Sequence, residues 1–478
     1  MKKLAHRTSL AIFVTSFAAL AGCGGSGSGG GNSQPSQNFT VGGYITGLAS
    51  SDSLVLLNNG GDALTVAEGA TSFTMPTAVP DGSPYNVTVR SHPLMLPCTV
   101  TSGVGTVTDA DVTSISVSCA AADSLLHSFG GEPTDGAVPV GSLIQATDGN
   151  FYGLTSAGGA NGDGAVFMIT PAGTETLLYS FAGGTTDGAI PHGSLIQAKD
   201  GNFYGMTAGG PKGFGAVFKI TRTGIETLLY SFAGGTTDGA YPYGSLIQAT
   251  DGNFYGLTSA GGAKGDGTVF MITPGGTEMV LHSFVGGTDG ASPDGSLIQA
   301  ADGHFYGLTV AGGANGDGTA FMIIAGGAET VLHSFTGGAV DGVSPGGSLI
   351  QAADGNFYGL TVSGGANGGG TVFEITSSGI ESVLYSFGAT YDLDPQGSLL
   401  QASDGNFYGV TSDGGASGDG TVFEITPSGV EASRYSFAGG PTDGASPNVS
   451  LIQAADGRFY GLTSAGGASG NGTVFALN

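Results

Sequence analysis

Aspartate is the residue most able to do chemistry in this chain. There are 37 Asp and Glu against 11 Lys and Arg in 478 residues, and the Asp fall into registered sets. Asp135, Asp187, Asp238, Asp289, Asp341 and Asp443 each precede Gly in Thr/Val-Asp-Gly, and Asp163, Asp266, Asp317 and Asp419 sit in Gly-Asp-Gly. Carboxylates and loop carbonyls are the ligands Ca²⁺ takes, in flexible geometry. Asp163, Asp266, Asp317 and Asp419 are therefore the candidate Ca²⁺ ligands. Their spacing is not that of an EF-hand loop, and an Asp before Gly is also an ordinary turn residue. A third set, Asp148, Asp200, Asp251, Asp302, Asp354, Asp404 and Asp456, stands in tight Asp-Gly hairpins and reads as structural.

Catalytic constellations are not found. His127, His282 and His333 stand where other copies of the same segment carry Tyr, and no two His have the spacing of a zinc site. There is no Gly-x-Ser-x-Gly elbow for a nucleophilic serine. No enzyme is expected. The competing reading is a carbohydrate-active enzyme using Asp294, Asp392 and Asp394, which break the local consensus.

Aromatic residues supply the other candidate site. Of 26 Phe, 21 occupy three recurring positions and read as packing. Phe214, Tyr241, Tyr243 and Tyr391 depart from that pattern, and none falls on a predicted strand. The consensus Gly-Gly-Ala-x-Gly-Asp-Gly becomes Gly209-Gly210-Pro211-Lys212-Gly213-Phe214-Gly215. Lys212, Phe214, Tyr241 and Tyr243 are thus expected at one junction of neighbouring loops, as a ligand site.

The elements that must position these residues follow from a repeat. Phe-Tyr-Gly recurs at Phe151, Phe203, Phe254, Phe305, Phe357, Phe407 and Phe459, a period that marks solenoids, propellers or arrays. Each unit over 121–478 reads as four strands; in the first they are 142–146, 151–155, 165–170 and 176–181. The region opens with a lone fourth strand, 124–129, and ends with a third, 473–477. That phase predicts an all-β, seven-bladed β-propeller whose N-terminal strand closes the last blade and covers an open edge. Loops from second to third strand and from fourth to next first strand share one face, so both Gly-following Asp sets predict an acidic face there.

Ser-Leu-Ile-Gln-Ala-x-Asp-Gly-Asn-Phe-Tyr-Gly-Leu-Thr, then Gly-Gly-Ala-x-Gly-Asp-Gly-Thr-Val-Phe, then Leu-Tyr-Ser-Phe resembles the GloVer tandem repeat of bacterial surface proteins. The resemblance covers 121–478. It implies the propeller fold and a surface location, and leaves activity open.

The N-terminal residues predict export. Lys2, Lys3 and Arg7 precede an apolar run from Leu10 to Leu20, too short for a membrane span. Leu20-Ala21-Gly22-Cys23 resembles the lipobox of bacterial lipoproteins, which implies cleavage after residue 22 and acylation of Cys23. In that family the absence of Asp after the Cys favours the outer membrane. Residues 23–38 are a Gly/Ser-rich tether. Loss of 1–22 removes three basic residues and no acid, taking the formal charge from −26 to −29. So acidic a chain should repel nucleic acid and anionic lipid. The membrane is then met through the anchor alone, and a glycan or protein ligand would meet the acidic loop face of a monomer. Cys98 and Cys119 remain as a pair, most simply a disulfide in an exported chain. They lie in 39–120, whose short apolar stretches suggest a small antiparallel β-sandwich. A non-enzymatic binding or scaffold surface and a purely structural envelope protein both stand beside the enzyme reading.

Overall fold

The computed structural model describes residues 37–478 apart from 49–53, 68, 94, 121–122, 132 and 389–391. The signal and lipidation readings at 1–22 and Cys23, nearly all of the tether, and Tyr391 lie outside the described residues. Among the described residues, no helix is long and apolar enough to cross a membrane.

Residues 38–119 form two four-stranded sheets and one two-stranded ladder. Alternate residues of Val41–Thr46, Leu54–Asn58, Pro84–Ser91 and Val112–Cys119 are buried, and their apolar side chains make one cluster around Val41, Leu56, Val87, Ile115 and Val117. The expected all-antiparallel order does not hold throughout, because Val112–Cys119 runs parallel to Val41–Thr46. On its other side the same strand pairs antiparallel with Cys98–Thr101. Cys98 and Cys119 face each other across that ladder and form the disulfide. Met95, just before Cys98 in the chain, is buried in one apolar cluster with residues of the repeat region, Tyr408, Val410 and Phe459 among them, so the two parts touch.

The described residues of 123–477 form four-stranded sheets, seven in number, and one two-stranded ladder of Gly444–Ala445 with Ala465–Gly466; the sheets are consistent with propeller-like blades. Six are consecutive meanders. In the seventh, Asp123–Ser128 pairs with Thr473–Leu477, as the phase of the repeat predicts. Second and third strands such as Phe151–Gly158 and Ala165–Ile169 are almost wholly buried, which is why they read as continuous apolar runs. The Gly of Phe-Tyr-Gly is needed there: a Cβ on Gly153 would lie 2.5 Å from the Phe167 ring. The hairpin aspartates are structural. Asp148 accepts hydrogen bonds from Asn150 N at 3.0 Å and from the Tyr152 hydroxyl at 2.7 Å, and the later blades repeat the motif.

Two of the contacts between neighbouring blades recur around the repeat. Tyr152 packs on Phe203 with ring centroids 4.2 Å apart, and Thr147 N donates to Gln197 Oε1 at 2.9 Å. The same pair recurs between the seventh blade and the first: Tyr460 on Phe151 at 4.2 Å, and Ala455 N to Gln145 Oε1 at 2.9 Å.

One prediction needs correcting. First strands begin earlier than the sequence suggests, at Gly136 and not near Ser142 in the first blade. Pro139 and Gly141 imitate a loop, yet pairing runs through Pro139 from Gly136↔Gly158 to Val140↔Leu154, breaks around Gly141 and resumes at Ile144 after a register shift. Tyr241 and Tyr243 therefore lie on a strand, Gly239–Gln248.

Candidate functional site

That irregular stretch, x-Pro-x-Gly-Ser in all but the last blade, builds the site. Its first residue has positive φ in every blade: Val138, Ile190, Tyr241, Ser292, Ser344, Asp394 and Ser446 lie between 50° and 59°. Such a conformation in a non-glycine residue costs about 1–3 kcal/mol and persists only when its surroundings hold it. The neighbouring blade does so. Ile190 N donates to the Asp163 carbonyl at 2.8 Å, Ser292 N to Asp266 at 2.8 Å, Ser344 N to Asp317 at 2.9 Å and Ser446 N to Asp419 at 2.8 Å. The Gly-Asp-Gly residues expected to hold Ca²⁺ thus use their main-chain oxygens to anchor the next blade. Their four carboxylates sit in four different blades and belong to none of the metal-compatible groups found among the described residues.

The third residue of the stretch lines a central cavity in six blades, as Val140, His192, Tyr243, Asp294, Gln396 and Asn448, and is Gly346, without a side chain, in the fifth. That makes seven different types at one position of a nearly uniform repeat. The glycine that follows permits the blades to close in. Gly193 has φ 67°, and a Cβ there would lie 1.7 Å from the Gly244 carbonyl oxygen. Serines then link the blades, Ser142 N donating to Ser194 Oγ at 2.7 Å and Ser194 N to Ser245 Oγ at 2.7 Å. The result is a cavity of about 270 Å³ whose wall is glycine backbone and serine, and whose chemistry comes from the variable residues.

The polar members are concentrated. The His192 and Tyr243 rings lie 4.9 Å apart, tilted by 39°. Burial lowers the His192 pKa, favouring neutral imidazole. Burial, with Asp294 nearby, raises that of Tyr243. Asp294 is pushed up by burial, partly offset by the Gly295 N–H that its Oδ1 accepts at 2.7 Å. Asn448 Oδ1 is buried with no hydrogen-bond partner. Among the lining residues are one carboxylate and no Lys or Arg. The cavity can stack, donate and accept hydrogen bonds.

The four residues expected at one junction are divided. Phe214 and Tyr241 meet with ring centroids 5.9 Å apart and border a shallow hollow on the rim. Lys212 turns outward, its Nζ 5.5 Å from the centre of the Tyr230 ring. Tyr243 faces the central cavity with His192 and Asp294. Asp394 is a rim residue that accepts from Ser412 Oγ at 2.9 Å, and nothing is described of the Asp392 side chain. The Thr/Val-Asp-Gly set does not make an acidic face: Asp187, Asp238, Asp341 and Asp443 are buried, with Asp187 accepting from Tyr179 Oη, Ala182 N and Gly188 N. The sequence singled out Tyr243 and Asp294, which line the cavity, but not the ring of equivalent positions they belong to with His192, Gln396 and Asn448. The signal of that ring was present as the one column, just after Pro, in which every copy differs.

The sequence model of the Gloeobacter/Verrucomicrobia repeat matches residues 99–250 and 383–478. No curated protein matches the chain. Among solved structures, the extracellular domain of BT4673 from B. thetaiotaomicron is similar at 13% identity and TM-score 0.50, over 89% of this chain and 52% of that one. XC5397 from Xanthomonas campestris, a gluconolactonase, is similar at 11% identity and TM-score 0.39, over 73% of this chain and 99% of that one. Puromycin hydrolase is similar at 10% identity and TM-score 0.44, over 69% of this chain and 50% of that one. At these identities the first likeness concerns the fold alone, and the other two carry no argument.

Proposed function

The chain belongs to the Gloeobacter/Verrucomicrobia repeat family, and from that footing we propose that it is a lipid-anchored protein of the bacterial envelope whose propeller binds a ligand without transforming it. In this reading seven blades close into a ring, Cys23 carries the anchor, and 39–120 is a sandwich spacing the ring from the membrane. The observation that carries the binding role is the central cavity, where six different side chains, one from each of six blades, replace the uniformity of the repeat. A scaffold has no use for that variety; a ligand with distinct edges does.

The ligand class that suits the cavity is a small neutral polar molecule, a sugar unit above all. Rings at His192 and Tyr243 offer a stacking face, and Asp294, Gln396 and Asn448 offer hydrogen bonds. The enzyme reading is weaker, because glycoside hydrolysis ordinarily uses a pair of carboxylates and Asp294 is the one carboxylate among the lining residues. The test is a glycan array followed by calorimetry on the full chain. A ligand whose binding is abolished by Tyr243→Ala and unaffected by Phe214→Ala supports the central site. The reverse pattern moves the site to the rim, and turnover of the ligand, lost in Asp294→Asn, replaces binding with catalysis.

A further inference from the structure

At the junctions between blades a second constellation repeats, away from the central cavity. Three residues meet there: an aromatic of one outer strand, the Asp of the following loop, and the Glu that opens the next outer strand. At two junctions the aromatic is Tyr179 or Tyr230, whose hydroxyl donates to Asp187 at 2.9 Å or Asp238 at 3.0 Å. At three it is histidine. His127, Asp135 and Glu175, then His282, Asp289 and Glu329, then His333, Asp341 and Glu381, each bring one ligand atom per residue within 4.8 Å of the others.

The spacing of these three groups is compatible with a ligand set, and equally with the hydrogen bonds that His127 and His333 make to Asp135 and Asp341. His Nε2 lies 3.1, 3.4 and 3.2 Å from the Asp Oδ2 in turn. Two ligands of a tetrahedral Zn²⁺, each at about 2.0–2.1 Å from the ion, stand roughly 3.3 Å apart. The Asp is held by main-chain donors, Asp135 by Gly130 N and Gly136 N at 2.6 and 2.7 Å, Asp341 by Thr336 N and Gly342 N at 2.7 Å each. Such outer contacts orient a metal-binding carboxylate. One oxygen of Glu175, Glu329 and Glu381 is buried with no hydrogen-bond partner, as it is for Glu226 and Glu278 at the Tyr junctions, and so is His282 Nε2; what the His junctions add is the imidazole nitrogen. In the forms that bind a metal, two ionised carboxylates and an imidazole, each trio would carry two negative charges, which one dication would match. Imidazole shifts the preference from Ca²⁺ and Mg²⁺ towards zinc-type ions.

We propose that the three His–Asp–Glu junctions are binding sites for a zinc-type dication, one per junction, with water completing the coordination. The ions would clamp blade to blade at the seventh-to-first, third-to-fourth and fourth-to-fifth junctions. The sequence hides the sites because each draws its three ligands from separate segments of two blades.

The repeat supplies its own control. Tyr occupies the same place at neighbouring junctions with the same packing: Tyr179 on Phe181 at 5.1 Å, His127 on Phe129 at 4.8 Å, both edge-on. His→Tyr is therefore a substitution the fold already accommodates. The tag-free full-length chain is stripped with EDTA, equilibrated with Zn²⁺, dialysed, and its metal counted by mass spectrometry. The expected load is three zinc per chain. It falls by one with each of His127→Tyr, His282→Tyr and His333→Tyr, and to zero in the triple variant, whose circular dichroism in EDTA matches the parent. No zinc on the parent overturns the proposal. So does a load the triple variant retains, or Ca²⁺ taken up in its place regardless of the histidines. Glu175→Gln, which keeps the fold, should also lose one ion.

Discussion

Raising the pH should loosen the metal-free protein, against the usual behaviour of buried carboxylates in ion pairs. Glu175, Glu226, Glu278, Glu329 and Glu381 are each pushed from 4.5 to about 7, first by burial and then by the Asp that faces them: Asp135, Asp187, Asp238, Asp289 and Asp341. His127 beside Glu175 and His333 beside Glu381 act the other way, as does the Tyr230 hydroxyl at Glu278. Because the folded pKa is the higher one, the folded state holds extra protons between about 4.5 and 7. The resulting stabilisation is whole below 4.5 and is lost as pH rises through 7. A fully buried carboxyl shifted this far would contribute about 3 kcal/mol. These five are only half buried, so screening by water reduces each to about 1 kcal/mol, or roughly 5 kcal/mol together. Urea unfolding in EDTA at pH 5, 6, 7 and 8 measures it, and the midpoint should fall from 5 to 7 and level off towards 8. Replacing all five with Gln should flatten the curve. A midpoint that is constant or rises with pH in the parent refutes the reasoning, since it would mean that the glutamates are ionised throughout.

Two further perturbations test the packing. Gly193→Ala places a Cβ 1.7 Å from the Gly244 oxygen at positive φ, and should cost about 3 kcal/mol or more; Gly201→Ala, also at positive φ but with nothing within 4 Å, should cost about 1 kcal/mol. Thermal melts of the two variants compare them, and equal losses would mean that the blades do not approach as described. Reducing Cys98–Cys119, which closes a loop of sequence separation 21, should remove about 3 kcal/mol from the N-terminal sheets. A melt in reductant that leaves the transition of those sheets unmoved would show the bond to be dispensable.

The candidate sites were less legible than the fold, for a physical reason that Tyr241 and Tyr243 illustrate. Two residues apart on a regular strand, they should share a face. Positive φ at Tyr241 and the register shift after Tyr243 break that alternation. One ring goes to the rim beside Phe214, the other to the centre beside His192. Neither turn of the backbone is visible in residue types, since only the neighbouring blade's carbonyl makes the strained conformation tenable.

What the sequence determined by itself was periodic and local. Burial on both faces of the second and third strands wrote Phe-Tyr-Gly and Val-Phe into every copy, Asp-Gly wrote the hairpins, and the phase of the repeat required Asp123–Ser128 to pair with Thr473–Leu477. Only the tertiary structure decided what stands next to what across blades. His192, Tyr243 and Asp294 are some fifty residues apart along the chain and line one cavity. His127 and Glu175 meet because consecutive outer strands pack side by side. Contacts of that kind depend on the angle and distance between blades, which arise from backbone packing at Gly193 and its equivalents and from the stacked Tyr–Phe pairs, and not from any spacing within a single repeat.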